Sequence, residues 1–256
     1  MIFDSHAHYD DEQFEEDRDA LLTDLKNRGV GCVVNVAAEP ESIPRVIELT
    51  KQYDFIYGAA GVHPENVQEL KDEDVHMIYD ALKEDKIVAV GEIGLDYHRK
   101  GYDKELQKHW FQVQVDIAKE HRLPVIIHSR EAAQDTLDFM KEWNAGENGG
   151  VIHCYAYGTE LAREFINMGF YIGIGGVLTF SNAKKLKEVA AEIPLEKIVL
   201  ETDCPYLAPE PFRGRRNNSA YIQYVADALA QIKGCPVEQV IRVTEDNAKK
   251  LYGLGL

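Results

Sequence analysis

Short apolar runs, rich in β-branched residues, recur along the chain and alternate with longer stretches of helical periodicity. Eight runs can be read in order: MIFDSHAH, GCVVNVAA, FIYGAAGVHP, KIVAVGEIGLD, LPVIIHSRE, GGVIHCYA, GFYIGIGG and KIVLETDCPY. Nearly continuous apolar runs are typical of parallel strands that are buried on both faces. Eight strand–helix units in 256 residues predict an α/β fold, a (β/α)8 TIM barrel that forms a single domain over residues 1–256.

The stretches between the runs support this arrangement. In two of them, apolar residues recur at steps of three and four, as on one face of a helix: Leu106, Trp110, Val113 and Ile117, and Ile222, Val225, Leu229 and Ile232. Glycines follow three helical stretches where C-terminal caps are expected: Gly29, Gly169 and Gly234. The closing segment VEQVIRVTEDNAKKLYG predicts one or two further helices.

A doubly wound open sheet is the competing architecture. Such a sheet would be expected to carry a phosphate-binding glycine loop after its first strand, and DSHAHYDD is not such a loop. The later segment GIGG, residues 173–176, lacks the spacing of a dinucleotide fingerprint and predicts a tight turn after the seventh strand.

Composition and charge limit the classes of function. With 28 basic and 44 acidic residues, the net charge is −16, which argues against a broad basic surface for nucleic acid. Since no run approaches the roughly 20 apolar residues of a membrane helix, we expect no membrane span. The acidic start predicts that the chain is not exported, and four widely spaced cysteines without a C-x-x-C motif indicate a reducing compartment, the cytoplasm.

Residues able to bind metal stand at the ends of several predicted strands. They are His6, His8, His63, Glu92, His128, His153 and Asp203. In a parallel barrel, the carboxyl ends of all strands open at the same mouth, so we expect these side chains to converge although they are far apart in sequence.

The mixture of imidazole and carboxylate side chains suits divalent cations such as Zn²⁺ and Mn²⁺, while carboxylate and water also suit Mg²⁺. His63 is interpreted as a contact to the substrate rather than as a ligand. The other six residues exceed what one catalytic cation needs and predict two ions that share a bridging carboxylate. Glu92 is the expected bridge. We assign one ion to His6, His8, Glu92 and Asp203, and the other to Glu92, His128 and His153.

Each of these residues also has a purely structural interpretation. A single histidine is more often a core or surface group than a ligand, Asp203 could cap the turn before Pro205, and His63 could order the turn before Pro64. His98 could face the mouth or solvent. Strand alternation predicts that two cysteines next to proposed ligands, Cys154 and Cys204, point away from the mouth and pack in the core. Three histidines in helical stretches are interpreted as surface or packing residues: His76, His109 and His121.

Six motifs together resemble the signatures of a known family: DSHAH, GVHP, GEIGLDY, PVIIHSRE, VIHCY and LETDCPYLAP. In order and spacing, from Asp4 to Pro209, they resemble the TatD family of metal-dependent hydrolases, within the amidohydrolase-like barrels. The resemblance implies a (β/α)8 barrel, a dinuclear metal site and hydrolysis of DNA from 3′ ends. Carried over by position, the family's ligands fall on the six residues assigned above.

Two segments depart from the family pattern. The chain has Ala156-Tyr157-Gly158 where a serine-glycine or threonine-glycine turn is common, and Asn217-Asn218-Ser219 where an Asn-Glu-Pro triplet is usual. Both departures lie in loops expected to shape access of the substrate, so they bear on its identity rather than on metal binding. Related barrels bridge their metals with a carboxylated lysine, but Lys86 stands at the opposite end of the fourth strand, which favours Glu92.

These features predict a metal-dependent phosphodiesterase, most simply a deoxyribonuclease of the 3′–5′ exonuclease type that uses a metal-activated water. Asp203 would accept or orient the proton of that water, and His63 would contact a phosphoryl oxygen. Three arginines after the eighth strand form a candidate phosphate clamp, with a solvated loop as the alternative: Arg213, Arg215 and Arg216. The acidic charge favours DNA ends or short single-stranded DNA as substrate.

Two other functions stay open. The same site could hydrolyse an ester or amide, as an aminoacyl-tRNA deacylase or a small-molecule amidohydrolase does, because fold alone does not determine the substrate. The barrel could also be a metal-binding scaffold without activity. No obligate protein partner is indicated by the sequence.

Overall fold

Eight parallel strands form one sheet in the computed structural model, which describes residues 1–255. The strands pair in sequence order, as expected of a barrel. Their bounds are β1 Ile2–Ala7, β2 Val30–Val36, β3 Ile56–Ala60, β4 Ile87–Asp96, β5 Val125–Arg130, β6 Gly150–Ile152, β7 Phe170–Ile174 and β8 Ile198–Leu200. Ala7 at the end of β1 forms a parallel bridge to Cys204, just after β8, so the first and last strands meet and the predicted (β/α)8 barrel is confirmed.

Nine α-helices lie within the described residues, and eight of them follow a strand of the barrel. Their bounds are α1 Arg18–Leu25, α2 Ile43–Gln52, α3 Val75–Ala81, α4 Lys104–His121, α5 Ala133–Glu142, α6 Thr159–Asn167, α7 Lys184–Glu192, α8 Ile222–Lys233 and α9 Val237–Leu251. The closing segment therefore forms one additional helix, α9. The predicted glycine caps are confirmed, since all three adopt positive φ just past a helical segment: Gly29, Gly169 and Gly234.

Strand β4 shows why the runs read as continuously apolar. All ten of its residues are buried, because one face lines the barrel interior and the other packs against helices. Its pairing with β5 places Gly94 opposite His128. Gly94 has a φ of 142°, and a Cβ atom there would lie 2.0 Å from the carbonyl oxygen of His128, so only glycine allows the two strands to approach so closely.

The barrel interior is filled in layers. Side chains from several strands form one apolar cluster with the end of α9: Phe3, Val34, Val36, Ala59, Val88, Ile126, Val151, Val199, Leu251 and Tyr252. Because side chains alternate along a strand, the residue two positions beyond a member of this layer faces the interior again. Ile126 is thus followed by His128, and Val151 by His153, so the apolar layer leads directly to polar residues at the carboxyl ends.

Tyr252 closes the opposite end of the barrel. Its ring stacks on Phe3, with 6.1 Å between the ring centroids, and its hydroxyl donates a hydrogen bond of 2.8 Å to the carbonyl oxygen of Ser5. The end of α9 therefore seals the amino-terminal ends of the strands. Within the described residues, no helix combines the length and apolar character that crossing a bilayer requires.

Replacing Tyr252 by alanine should destabilise the fold by about 3–5 kcal/mol, because a fully buried aromatic ring is lost and the interior collapses only in part. Tyr252→Phe keeps the ring but leaves the Ser5 carbonyl without its donor, and should cost about 1 kcal/mol. Chemical and thermal unfolding of the three proteins measure the order. Equal stability of Tyr252→Ala and the wild type would contradict this packing role.

Candidate metal centre

Two histidines from β1 meet two carboxylates at the mouth of the barrel. The Nε2 atoms of His6 and His8 lie 3.0 Å apart. Oε2 of Glu92 is 3.2 Å from the His6 nitrogen and 3.6 Å from the His8 nitrogen. Oδ1 of Asp203 is 3.3 Å from Nε2 of His8 and 3.8 Å from Nε2 of His6. Four groups from β1, β4 and the segment after β8 therefore face one small volume. Glu92 lies within β4, which continues to Asp96, so the expectation that Glu92 ends its strand is wrong.

The other oxygen of Glu92 faces the remaining histidines. Oε1 lies 2.8 Å from Nδ1 of His128, 3.4 Å from Nε2 of His153 and 3.7 Å from Nε2 of His63. The structure thus brings together all seven residues that the sequence indicated, with Glu92 between the two sets. Two of the triads whose donor atoms lie within 4.8 Å of one another are His6–His8–Asp203 and His63–Glu92–His128, so His63 is also close enough to the second set to act as a ligand.

The closure of the barrel positions the first set. Backbone hydrogen bonds run from Asp203 N to His6 O, 2.9 Å, and from His8 N to Cys204 O, 2.8 Å. Below them, the buried carboxylate of Asp4 accepts hydrogen bonds from the backbone N–H and the hydroxyl of Thr202, at 3.0 and 2.6 Å. Residues about 200 positions apart in sequence are thereby held in a fixed relation at the mouth.

Two further carboxylates, not predicted from the sequence, contact the predicted ligands. Oδ2 of Asp96 lies 2.9 Å from Nε2 of His128, and Oε2 of Glu201 lies 3.4 Å from Nδ1 of His153. Carboxylates commonly hold ligating histidines in one orientation in this way. Both stand in motifs already identified in the sequence. Glu201 lies two residues before Asp203, and Asp96 is the last residue of GEIGLD.

The GIGG segment serves Glu201 rather than forming only a turn. Gly173 lies within β7, and a Cβ atom on it would lie 2.4 Å from Oε2 of Glu201. The first glycine of the segment therefore gives room for a buried carboxylate, which corrects the prediction of a simple tight turn there. The turn itself begins after Ile174, where the segment 176–179 forms a short 3-10 helix.

The two cysteines next to predicted ligands behave differently. Cys204 is fully buried in an apolar cluster, as predicted. For Cys154 the prediction is wrong, because its Sγ and donor atoms of His153 and Asp203 all lie within 4.8 Å of one another. Strand alternation does not reach it, since β6 ends at Ile152 and Cys154 has a φ of 45°.

The histidines set aside in the sequence lie away from this centre. His98 is exposed and pairs with Glu131, with 2.6 Å between Nδ1 and Oε1. His76 and His109 are exposed on α3 and α4. His121 ends α4, where its Nδ1 lies 3.0 Å from the carbonyl oxygen of Ile117.

A cavity of about 1060 Å³ opens above the centre, and carboxylates outnumber arginines in its lining. The lining arginines are Arg18, Arg45, Arg99 and Arg130. The predicted clamp of Arg213, Arg215 and Arg216 does not line it, which corrects that prediction. Arg216 is held instead by Asp17 and lies over the ring of Phe14, and Arg213 lies over Phe180.

Three of the four lining arginines are engaged elsewhere. Arg18 donates to the carbonyl oxygen of Tyr9, Arg45 pairs with Glu48, and Arg99 pairs with Glu65. Arg130, exposed at the end of β5, forms no ion pair within residues 1–255. It stands two residues beyond His128, so it faces the same cavity.

Two buried glutamines of α4 anchor the loops around the centre. Gln114 accepts from the backbone N–H of Val62 and donates to its carbonyl oxygen, at 2.7 and 3.2 Å. Gln107 in the same way holds the backbone N–H and carbonyl of Asp96, both at 3.0 Å. These bonds fix the segment that carries His63 and the strand end that carries Asp96.

Burial and charge oppose each other at the centre. Burial alone would lower the pKa of His8, but the hydrogen bond and charge of Asp203, together with Glu92, raise it to about 9. Burial likewise acts against the charge of His153, yet Glu92, Glu201 and Asp203 raise its pKa to about 10. For Glu92, the surrounding imidazoles outweigh burial and hold its pKa well below the ordinary value.

The donor set fits a divalent cation. Two imidazole nitrogens lie within 4 Å of each other and of two carboxylate oxygens, and this mixture is what borderline divalent metals prefer. The carboxylates also explain why protons are held tightly there, since a cation and a proton compete for the same charge. The fold and these donors together define a metal-dependent hydrolase built on a (β/α)8 barrel.

Comparison with known proteins agrees with this class. The family model described as "TatD related DNase" matches residues 3–253. The uncharacterized metal-dependent hydrolase YabD of Bacillus subtilis is 42% identical, over 98% of this chain and 99% of that protein. YcfH of Escherichia coli, named in the same way, is 36% identical, over 98% and 96%. The crystal structure of the E. coli TatD homologue YjjV superposes with a TM-score of 0.94 at 31% identity, covering 99% of this chain and 98% of that one. The chain therefore belongs to the TatD family of metal-dependent hydrolases.

Binding of a divalent cation should release protons. At pH 7.5 His8 and His153 carry protons, because their pKa values lie near 9 and 10, and a ligating imidazole must be neutral. The apparent affinity should rise as pH increases from 7 to 8, by up to about tenfold for each proton displaced. Calorimetric titration with Mn²⁺ in two buffers of different ionisation enthalpy measures the number released.

His8→Gln should reduce this number, whereas His109→Gln, an exposed substitution on α4, should leave it unchanged. Identical heats in both buffers would contradict the prediction.

Proposed function

We propose that this protein is a divalent-metal-dependent phosphodiesterase that cleaves DNA at ends or in short single strands, as a deoxyribonuclease of the 3′–5′ exonuclease type. The observation that carries the proposal is the convergence of six imidazole and carboxylate groups, with Glu92 at their centre, at the floor of an open cavity. The description of the matching family as a DNase supports the choice of substrate.

We place two divalent ions at this centre, Mg²⁺, Mn²⁺ or Zn²⁺. His6, His8, Glu92 and Asp203 would hold one ion, and Glu92, His128 and His153 the other. Bound cations supply Lewis acidity and lower the pKa of water from about 15.7 toward 7. The two oxygens of Glu92 already face different sets of histidines, which supports its role as the bridge.

The protein's own groups would handle the proton and the phosphate. Asp203 has a partly exposed side chain, 16% accessible, so it can accept or orient the proton of an attacking water at the cavity floor. The backbone N–H of Glu65 donates to Nδ1 of His63 at 3.1 Å. That bond leaves the proton of a neutral ring on Nε2, the nitrogen nearer the centre, which can donate to a phosphoryl oxygen.

Arg130 takes the role that the sequence gave to the arginines after the eighth strand. It lines the cavity without an ion-pair partner among the described residues, so its guanidinium is free to bind a phosphate. The carboxylates that line the cavity, its acidic rim, repel an extended polyanion. Both features favour one strand end or a short oligonucleotide over a long duplex.

The same acidic rim also favours a second candidate function, hydrolysis of an ester or amide. A neutral or cationic ester or amide would enter the cavity without repulsion, and the donor set serves carbonyl hydrolysis equally well. Assays of an aminoacyl ester and a cyclic amide beside DNA separate the two functions. As for location, all four cysteines are free thiols, and we propose that the protein acts in the cytoplasm.

Removing either central carboxylate should abolish most of the activity. We expect cleavage of a short single-stranded oligonucleotide to stop with EDTA and to fall at least about a hundredfold in Glu92→Ala and in Asp203→Ala. Glu160→Ala, an exposed change on α6, is the matched control and should cleave normally. Unchanged cleavage by both central variants would rule out this assignment.

Arg130→Ala should raise KM for an oligonucleotide by about tenfold or more, since a charge-assisted hydrogen bond to phosphate is worth about 1.5–3 kcal/mol. It should also weaken the dependence of KM on salt. Arg215→Ala, an exposed arginine outside the cavity lining, is the control. If both variants change KM equally, the effect comes from overall charge and the specific role of Arg130 is wrong.

A further inference from the structure

A second cavity, of about 180 Å³, opens beside Asp203. It lies among the segments that follow β6, β7 and β8, and Asp203 is the one residue that lines both this cavity and the large one. We refer to it as the side pocket. Its walls are mainly apolar: Tyr155, Ala156, Val177, Ala183, Leu186 and Leu207.

The charge at the side pocket is more balanced than that of the large cavity, because two lysines line it beside two carboxylates, Asp203 and the fully buried Glu201. Lys184 and Lys185 at the start of α7 line it, are exposed, and form no ion pair within residues 1–255. The exposed amide of Asn182 stands beside them. An apolar pocket with free cations and an amide at its edge suits a group that is flat and apolar, has polar edges, and is joined to an anion.

The size of the side pocket limits its occupant to one small ring system, because sites for larger ligands measure about 300–1,000 Å³. Close backbone packing sets this limit. A Cβ atom on Gly176 would lie 2.0 Å from the carbonyl oxygen of Leu207, so the wall that carries Leu207 closes directly on the backbone of the facing segment. Leu207 itself is 38% exposed, which leaves an apolar surface at the entrance.

We propose that the side pocket binds the nucleobase of the nucleotide whose phosphodiester lies at Asp203, while Lys184 and Lys185 contact an adjacent phosphate. This proposal rests on the proposed function. A base has the flat apolar faces and polar edge that the walls and Asn182 match, and every base has a face that can stack, so such binding tolerates any sequence. The pocket would thereby add affinity for nucleotides at a mouth whose acidic rim opposes them.

One substitution blocks the pocket with little risk to the fold. Ala156 is exposed at its edge, so Ala156→Trp fills the entrance without entering the core. Ala20→Trp, on the exposed face of α1, is the matched control.

The first test measures equilibrium binding and needs no catalysis. Thymidine 5′-monophosphate and 1,2-dideoxyribose 5-phosphate differ only by the base, and calorimetry compares their Kd values in each protein. We expect the nucleotide to bind at least tenfold more tightly in the wild type and in Ala20→Trp, and the difference to disappear in Ala156→Trp. Equal Kd values in the wild type, or an undiminished difference in Ala156→Trp, would overturn the proposal.

The second test separates this proposal from the proposed function. Oligonucleotides that end in a normal or an abasic 3′ nucleotide are compared as substrates, and Ala156→Trp should raise KM at least tenfold for the normal end alone. If DNA is cleaved but the two ends respond equally, the side pocket does not bind the base while the nuclease activity stands. If no DNA is cleaved but the binding difference holds, the pocket stands and the proposed function fails.

Discussion

The hydrogen bonds between β1 and the segment after β8 support both the barrel and its metal centre. Asp203 N bonds to His6 O, His8 N bonds to Cys204 O, and Asp4 accepts from Thr202. The same few contacts complete the ring of strands and bring the histidine pair to Asp203. A substitution that breaks these hydrogen bonds would therefore disrupt the fold and the metal centre together.

The centre concentrates polar groups at the end of an apolar interior. Glu92 has a side chain that is only 4% exposed, and burial of a carboxylate is unfavourable unless positive charge or hydrogen bonds compensate for it. Here the compensation comes from imidazoles on several strands, which Asp96 and Glu201 orient in turn. Either protons on the imidazoles or bound cations can balance the charge of the buried carboxylates, so the two compete for the same centre.

Much of this could be predicted from the sequence, for a definite reason. Buried parallel strands leave continuous apolar runs, and their ends all open at one mouth, so a residue such as His128 or Asp203 could be placed without knowledge of any contact. The prediction failed where strand periodicity stops. Cys154 follows a residue outside the strand, and its positive φ turns its side chain toward the centre.

Interactions between side chains that are distant in sequence could not be predicted either. Nothing local shows that Arg216 is held by Asp17 or that Gly173 leaves room for Glu201, because each pairing depends on how separate loops pack. The side pocket likewise arises from three loops whose sequences carry no common motif. Local patterns thus define the strands and their ends, whereas charge pairing and cavities are properties of the assembled fold.

The way Tyr252 and Asp203 meet the first strand has a consequence during synthesis of the chain. One edge of β1 pairs with β2 early, but its other edge has no partner until residues near 204 have left the ribosome. An apolar strand with an open edge is a template for aggregation. At about 5–20 residues per second, this edge stays open for many seconds, and the metal centre cannot form until the residues near 204 have been made.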